Sequence, residues 1–75
     1  MIRIFADFNA REGDRLPLDF EGSFSDIRKQ KVELQDGLRI IVYDDQVEAE
    51  AVVQNVKGEW YARIIDGTLR IHRWE

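Results

Sequence analysis

Few side chains in this sequence can do acid–base or nucleophilic chemistry. There is one histidine, His72, one threonine, Thr68, two serines, Ser23 and Ser25, and no cysteine. Without cysteine the chain has no disulfide, no thiolate nucleophile and no Cys-based zinc site. A catalytic base needs an orienting partner and a nucleophile within hydrogen-bond reach. Around His72 the strand pattern offers only the hydroxyls of Thr68 and Tyr61, which form no triad. His72 therefore reads as a surface histidine on a strand.

Carboxylates are plentiful but poorly placed for chemistry. Asp44, Asp45 and Glu48 cluster at an expected hairpin tip, with Glu50 close behind. Calcium loops of the EF-hand kind need a fixed ligand spacing and a glycine, and both are missing. Aspartates at turns bond their own backbone, which accounts for this cluster. Nothing holds Glu12 and Asp14, or Asp19 and Glu21, at a defined separation. A chain that is 35% charged produces such pairs by chance. No catalytic residue, metal site or cofactor is expected, and the chain reads as a non-enzyme.

Binding chemistry is better represented. Arg28, Lys29 and Lys31 form the densest basic cluster. Arg39, Arg63 and Arg70 alternate along the sequence with Ile41, Tyr43, Tyr61 and Ile65, on positions opposite the expected core. Arginine interleaved with tyrosine serves single-stranded nucleic acid, by phosphate pairing and base stacking. It equally describes an outer sheet face on which arginine stems lie over rings. The balance of 11 basic against 15 acidic residues, a net charge of −4, argues against a polyanion partner. With Val52, this face is more apolar than solvent requires, and such patches mark partner surfaces. The expected partner-binding set is Ile41, Tyr43, Tyr61, Arg63, Ile65 and Arg70. Its expected occupant is a protein partner or a second copy, with single-stranded nucleic acid as the alternative. The competing expectation is that residues 9–35 cover this face through Leu16, Leu18, Phe20 or Phe24.

The elements that must carry these residues follow from periodicity. Seventy-five residues, 44% of them hydrophobic, suit one small domain spanning 1–75. Ile2, Ile4, Ala6 and Phe8 alternate with Arg3, Phe5 and Asp7 as a first strand with one buried face. Asn9 to Pro17 reads as a loop, and Leu18–Phe20 as a short strand. Ser23 or Ser25 as cap, Asp26 in the first turn and the basic cluster at the end predict a short helix near 24–31. Phe24, Ile27 and Lys31 would share its inner side.

From Val32 the period is two. A two-residue turn at Asp45-Gln46 pairs Val42 with Ala49 and Ile40 with Ala51. One at Lys57-Gly58 pairs Val53 with Ala62 and Ala51 with Ile64. One at Asp66-Gly67, a strong type I′ signal, pairs Ile64 with Leu69 and Ala62 with Ile71. These three registers place one apolar set on one face, and a one-residue slip would invert a strand. Ile40, Val42, Ala49, Ala51, Val53, Ala62, Ile64, Leu69 and Ile71 are therefore expected to be buried.

The run Val32-Glu-Leu-Gln-Asp-Gly-Leu-Arg-Ile-Ile-Val-Tyr-Asp-Asp, then Val47-Glu-Ala-Glu-Ala-Val-Val and Trp60-Tyr-Ala-Arg, resembles the core of SH3-like small barrels. The likeness covers roughly residues 32–73 and extends to small bacterial proteins that imply no activity. It implies a binding or scaffold module rather than an enzyme. The fold expectation is a mainly β, small SH3-like or OB-like, partly open barrel of five or six antiparallel strands with that one helix. The start, Met1-Ile-Arg-Ile-Phe-Ala-Asp-Phe, lacks a signal-peptide pattern. The longest apolar run, Ile40 to Tyr43, is far below the ~20 residues that span a bilayer. A cytoplasmic location without membrane contact is the resulting expectation.

Overall fold

The computed structural model describes residues 1–71. It is mainly β, with six strands in one sheet, one α-helix and a 3-10 turn at Phe8–Ala10. The strands are β1 Arg3–Phe5, β2 Arg15–Pro17, β3 Arg39–Tyr43, β4 Val47–Val56, β5 Glu59–Ile64 and β6 Arg70–Ile71, with helix α1 at Glu21–Gln30. The order β1-β3-β4-β5-β2 leaves β1 and β2 as the edge strands, and β6 pairs with the start of β4. The sheet is open. Its inner face buries Ile4, Leu16, Ile40, Val42, Ala49, Ala51, Val53, Ala62 and Ile64, joined by Ala6 and Leu18.

The two central hairpins form in the expected register. Val42 pairs with Ala49 and Ile40 with Ala51, while Val53 pairs with Ala62 and Ala51 with Ile64. Both residues of Lys57-Gly58 have positive φ, at 53° and 86°, which is what a type I′ turn needs to match strand twist.

The third expected hairpin does not form. Gly67 has φ 83°, but Asp66 does not have positive φ. A turn with only its second central residue in that region is not of the primed kind and splays the strands it joins. Thr68 then takes over the ladder. Glu50 N–H donates to Thr68 Oγ1 at 3.0 Å, and the same hydroxyl donates to Ile65 C=O at 2.7 Å. The chain passes β5 and pairs Ile71 with Val47 instead. Leu69 and Ile71, expected in the core, are 47% and 66% exposed. His72 lies outside the described residues.

Further expectations are corrected in the first half. The first strand runs parallel to β3, with Ile4 opposite Val42, so the sheet is mixed rather than antiparallel throughout. The segment read as a loop contains β2, whose Leu16 pairs with Ala62, while Leu18–Phe20 is not a strand. The helix begins at Glu21 and no side chain caps it, because its N-cap position is Phe20, while Ser23 lies inside the helix and is fully buried. Phe24, expected inside, is 47% exposed, whereas Ile27 does pack on the core.

What α1 does is complete the edge of β1. Ile41 N–H donates to Ile2 C=O and Ala6 N–H to Tyr43 C=O, so the even positions of this strand face β3. Arg3 and Phe5 therefore point their backbone groups outward. Gln30 accepts from Arg3 N–H through Oε1 and donates to Arg3 C=O through Nε2, as a neighbouring peptide group would. Asp26 Oδ2 accepts from Phe5 N–H at 2.9 Å, and Ser23 Oγ donates to Phe5 C=O. Positions 23, 26 and 30 fall on one helical stripe. Gly22 lets the helix approach: a Cβ there would lie 2.9 Å from the Phe5 ring.

The opposite edge is closed differently. Glu12 and Arg15 exchange two backbone hydrogen bonds, at 2.8 and 3.1 Å, and Pro17 has no N–H to offer. Both devices blunt a sheet edge against pairing with another chain.

Replacing Asp26 by alanine should cost about 2–3 kcal/mol in urea unfolding, since two donors lose a charged acceptor. Gln30→Ala should cost about 1 kcal/mol and, by baring the edge, raise the apparent mass in sedimentation. Lys29→Ala, on the exposed side of the helix, should stay within ~0.5 kcal/mol of the parent.

Candidate binding surface

The outer face of the sheet is defined by the residues between the buried ones. Across it run Arg3 and Phe5 on β1, Arg39, Ile41 and Tyr43 on β3, and Glu48, Glu50 and Val52 on β4. They continue as Glu59, Tyr61 and Arg63 on β5, Arg15 and Pro17 on β2, and Arg70 on β6. Five of the eight arginines in the sequence stand here, against three glutamates. The face is positive in a chain whose net charge is −4.

Acids compensate only one side of it. Arg39 pairs with Glu50 at 2.9 Å and Arg3 with Glu48 at 3.5 Å. On the other side, Arg15 and Arg63 are direct cross-strand neighbours. Neither has a carboxylate within ion-pair distance among the described residues. Like charges directly opposite are destabilising. Arg15 turns its guanidinium over the Tyr61 ring, 5.0 Å from the centroid, while Arg63 and Arg70 stay exposed.

The structure divides the expected site residues. Ile41, Tyr61 and Ile65 are half-buried and share the outer face with exposed Arg63 and Arg70. Tyr43 belongs to a separate corner where α1 meets the sheet. Its hydroxyl donates to Asp26 Oδ2 at 2.6 Å, Phe5 meets its ring edge-on, and Arg3 lies 5.0 Å from its centroid. Residues 9–35 thus cover this corner, with Gly22 on Phe5 and Phe20 edge-on to the same ring.

Sequence reasoning missed a cleft beside Tyr61. Pro17, Leu18, Asp19, Phe24, Gly58, Glu59, Trp60 and Tyr61 line a cavity of about 220 Å³. The alternation assigned Trp60 to the inner face, where it does pack against the core, and the helix pattern assigned Phe24 to the core, although it is exposed. Neither assignment signals that the chain folds them toward one opening.

The acidic turn residues do what their type predicts. Asp44 Oδ1 accepts from Gln46 N–H and Val47 N–H, and Asp7 Oδ1 accepts from Asn9 N–H. Among the described residues, no group of three His, Asp or Glu side chains could hold a metal ion. No helix among them is long and apolar enough to cross a membrane.

Two phenols are shifted. Hydrogen bonding to Asp26, with burial, holds the Tyr43 hydroxyl above its ordinary pKa of 10.0. Hydrogen bonding to Glu59 raises Tyr61 likewise. The neutral phenol is the form that donates. Tyr43 therefore stabilises the fold below pH 10, and this contribution is lost as pH rises through the raised folded value. Alkaline titration at the tyrosinate absorbance band should show two phenols ionising late. In Tyr43→Phe one late phenol should be gone and stability about 1–2 kcal/mol lower. Compared with protein families, curated proteins and solved structures, the chain matches none.

Proposed function

We propose that this domain is a non-enzymatic, cytoplasmic binding module that holds an acidic protein partner on its outer sheet face. The contact set is Arg63 and Arg70 with Ile41, Tyr61 and Ile65, and Tyr43 stands at its margin. One observation carries the reading. Arg15 and Arg63 face each other across β2 and β5 with no carboxylate of the described residues in ion-pair reach of either. A fold built for stability alone would place an acid there, as it does beside Arg39. A partner's carboxylate supplies the missing charge. The apolar side chains around it supply desolvated area, and rigid tyrosine does so at low entropic cost. The resemblance of residues 32–73 to SH3-like barrels supports a binding role by analogy.

A second reading, single-stranded nucleic acid across Arg39, Tyr43, Tyr61, Arg63 and Arg70, rests on the same arginine–tyrosine interleaving. Against it stands the pairing of Arg39 to Glu50 and of the Tyr43 hydroxyl to Asp26.

The test is Arg63→Glu. It should abolish measurable binding of an oligo-glutamate peptide and yet raise unfolding stability by up to ~1 kcal/mol, because a repulsion becomes an attraction. A merely structural arginine would lose stability instead. If an oligothymidine binds more tightly than the acidic peptide, the second reading replaces the first. Its signature is a log–log salt slope near about −0.7 per phosphate contact.

A further inference from the structure

Helix α1 lies between the two ends of the sheet, and it is bonded to one of them only. Toward β1 it presents Ser23, Asp26 and Gln30, whose hydrogen bonds complete the strand edge. Toward β2 and β5 it presents Phe24, and here the seam stays open. The cleft between Phe24 and the end of the β4–β5 hairpin has a volume of about 220 Å³. Phe24 remains 47% exposed at its mouth.

The size of the cleft selects its occupant. Sites for cofactors or drug-sized molecules occupy ~300–1,000 Å³, so this one suits a single side chain. Phe24, Trp60, Tyr61 and Pro17 are among its lining residues, and its two charged lining residues are the carboxylates Asp19 and Glu59. Glu59 is fixed in place by the Tyr61 hydroxyl, which donates to it at 3.0 Å. Aromatic faces favour a cation, above all the flat guanidinium that also pairs with carboxylates. An alkyl stem suits the apolar wall. Gly58 keeps the hairpin end unobstructed, with nothing within 4 Å of where its Cβ would be.

We infer that the cleft between α1 and the β4–β5 turn is a receptor for one arginine side chain of an extended partner peptide. Phe24, Trp60 and Tyr61 provide the stacking surface and Asp19 and Glu59 the counter-charge. The cleft adjoins the arginine face described above, sharing Tyr61 with it, and has the opposite charge preference.

The test compares three capped pentapeptides, Gly-Gly-Xaa-Gly-Gly, with arginine, citrulline or norleucine at the centre. Each is titrated into the isotopically labelled full chain and followed at the Trp60 indole and Gly58 amide resonances. The arginine peptide should shift both saturably, and citrulline should bind about fivefold more weakly, the scale of a partly exposed cation–π contact. Asp19→Asn with Glu59→Gln should remove that preference. Both side chains are exposed, and the amide carbonyl that replaces the Glu59 carboxylate still accepts from the Tyr61 hydroxyl, so the fold is unaffected. Phe24→Ala should weaken binding without altering the core. Equal binding of citrulline or norleucine would overturn the inference in favour of a neutral apolar slot. An absence of shifts at Trp60 and Gly58 would overturn it outright. Arg63→Glu should leave this binding intact, so failure here and failure of the outer-face reading are distinguishable.

Discussion

The fold hangs on the completion of one strand edge. β1 is three residues long and parallel to β3, the pairing geometry that is less stable per residue. On its own it would leave the N–H and C=O groups of Arg3 and Phe5 open to another chain. Gln30, Asp26 and Ser23 satisfy all four from a single stripe of α1. The same contacts seat the helix, hold Asp26 beneath the Tyr43 hydroxyl and keep Ile4 and Ala6 over the inner face. In a domain this small the core contributes little surplus stability. Losing the strand would open that core directly.

The other end of the sheet solves the same problem with local means. The Glu12–Arg15 bridge and Pro17 leave little on β2 for a further strand to pair with. A helix that is zipped to one edge and merely adjacent to the other leaves a gap on the second side. That gap is the aromatic cleft. Its existence follows from the asymmetry of the two edge treatments rather than from any motif.

Charge is segregated in a corresponding way. The outer face concentrates arginine in an acidic protein and leaves Arg15 and Arg63 opposed without an acid among the described residues, while the cleft combines aromatic residues with carboxylates. Where local rules of stability are broken without compensation, a binding role is the physical reason to look for. The turn acids Asp7 and Asp44, by contrast, accept from nearby backbone N–H groups, and the conventional reading of them suffices.

Much of the sheet was legible from residues alone. Alternation through β3, β4 and β5, with two-residue connections, defined the pairs Val42–Ala49 and Val53–Ala62 correctly. In a short hairpin the turn sets the register and the apolar face forbids a slip, so nearest neighbours in sequence contain all the information. The Asp66-Gly67 signal misled because the Thr68 hydroxyl, 18 residues from Glu50, offered the ladder a better partner than the hairpin did. The parallel partner of β1 and the bonding face of α1 were out of reach for the same reason. Asp26 lies 21 residues from the Phe5 amide it accepts from, and Gln30 lies 27 from Arg3. No periodicity records such distances. Serine, aspartate and glutamine read as a solvated stripe until a strand edge is placed against them. Phe24 likewise reads as core until the sheet's own ends leave it a cleft to line, whereas Trp60 does pack on the core and borders the cleft as well. Local alternation and turn chemistry specified the strands that touch their sequence neighbours; the closing of the edges, and with it the candidate site, was decided by contacts between distant segments.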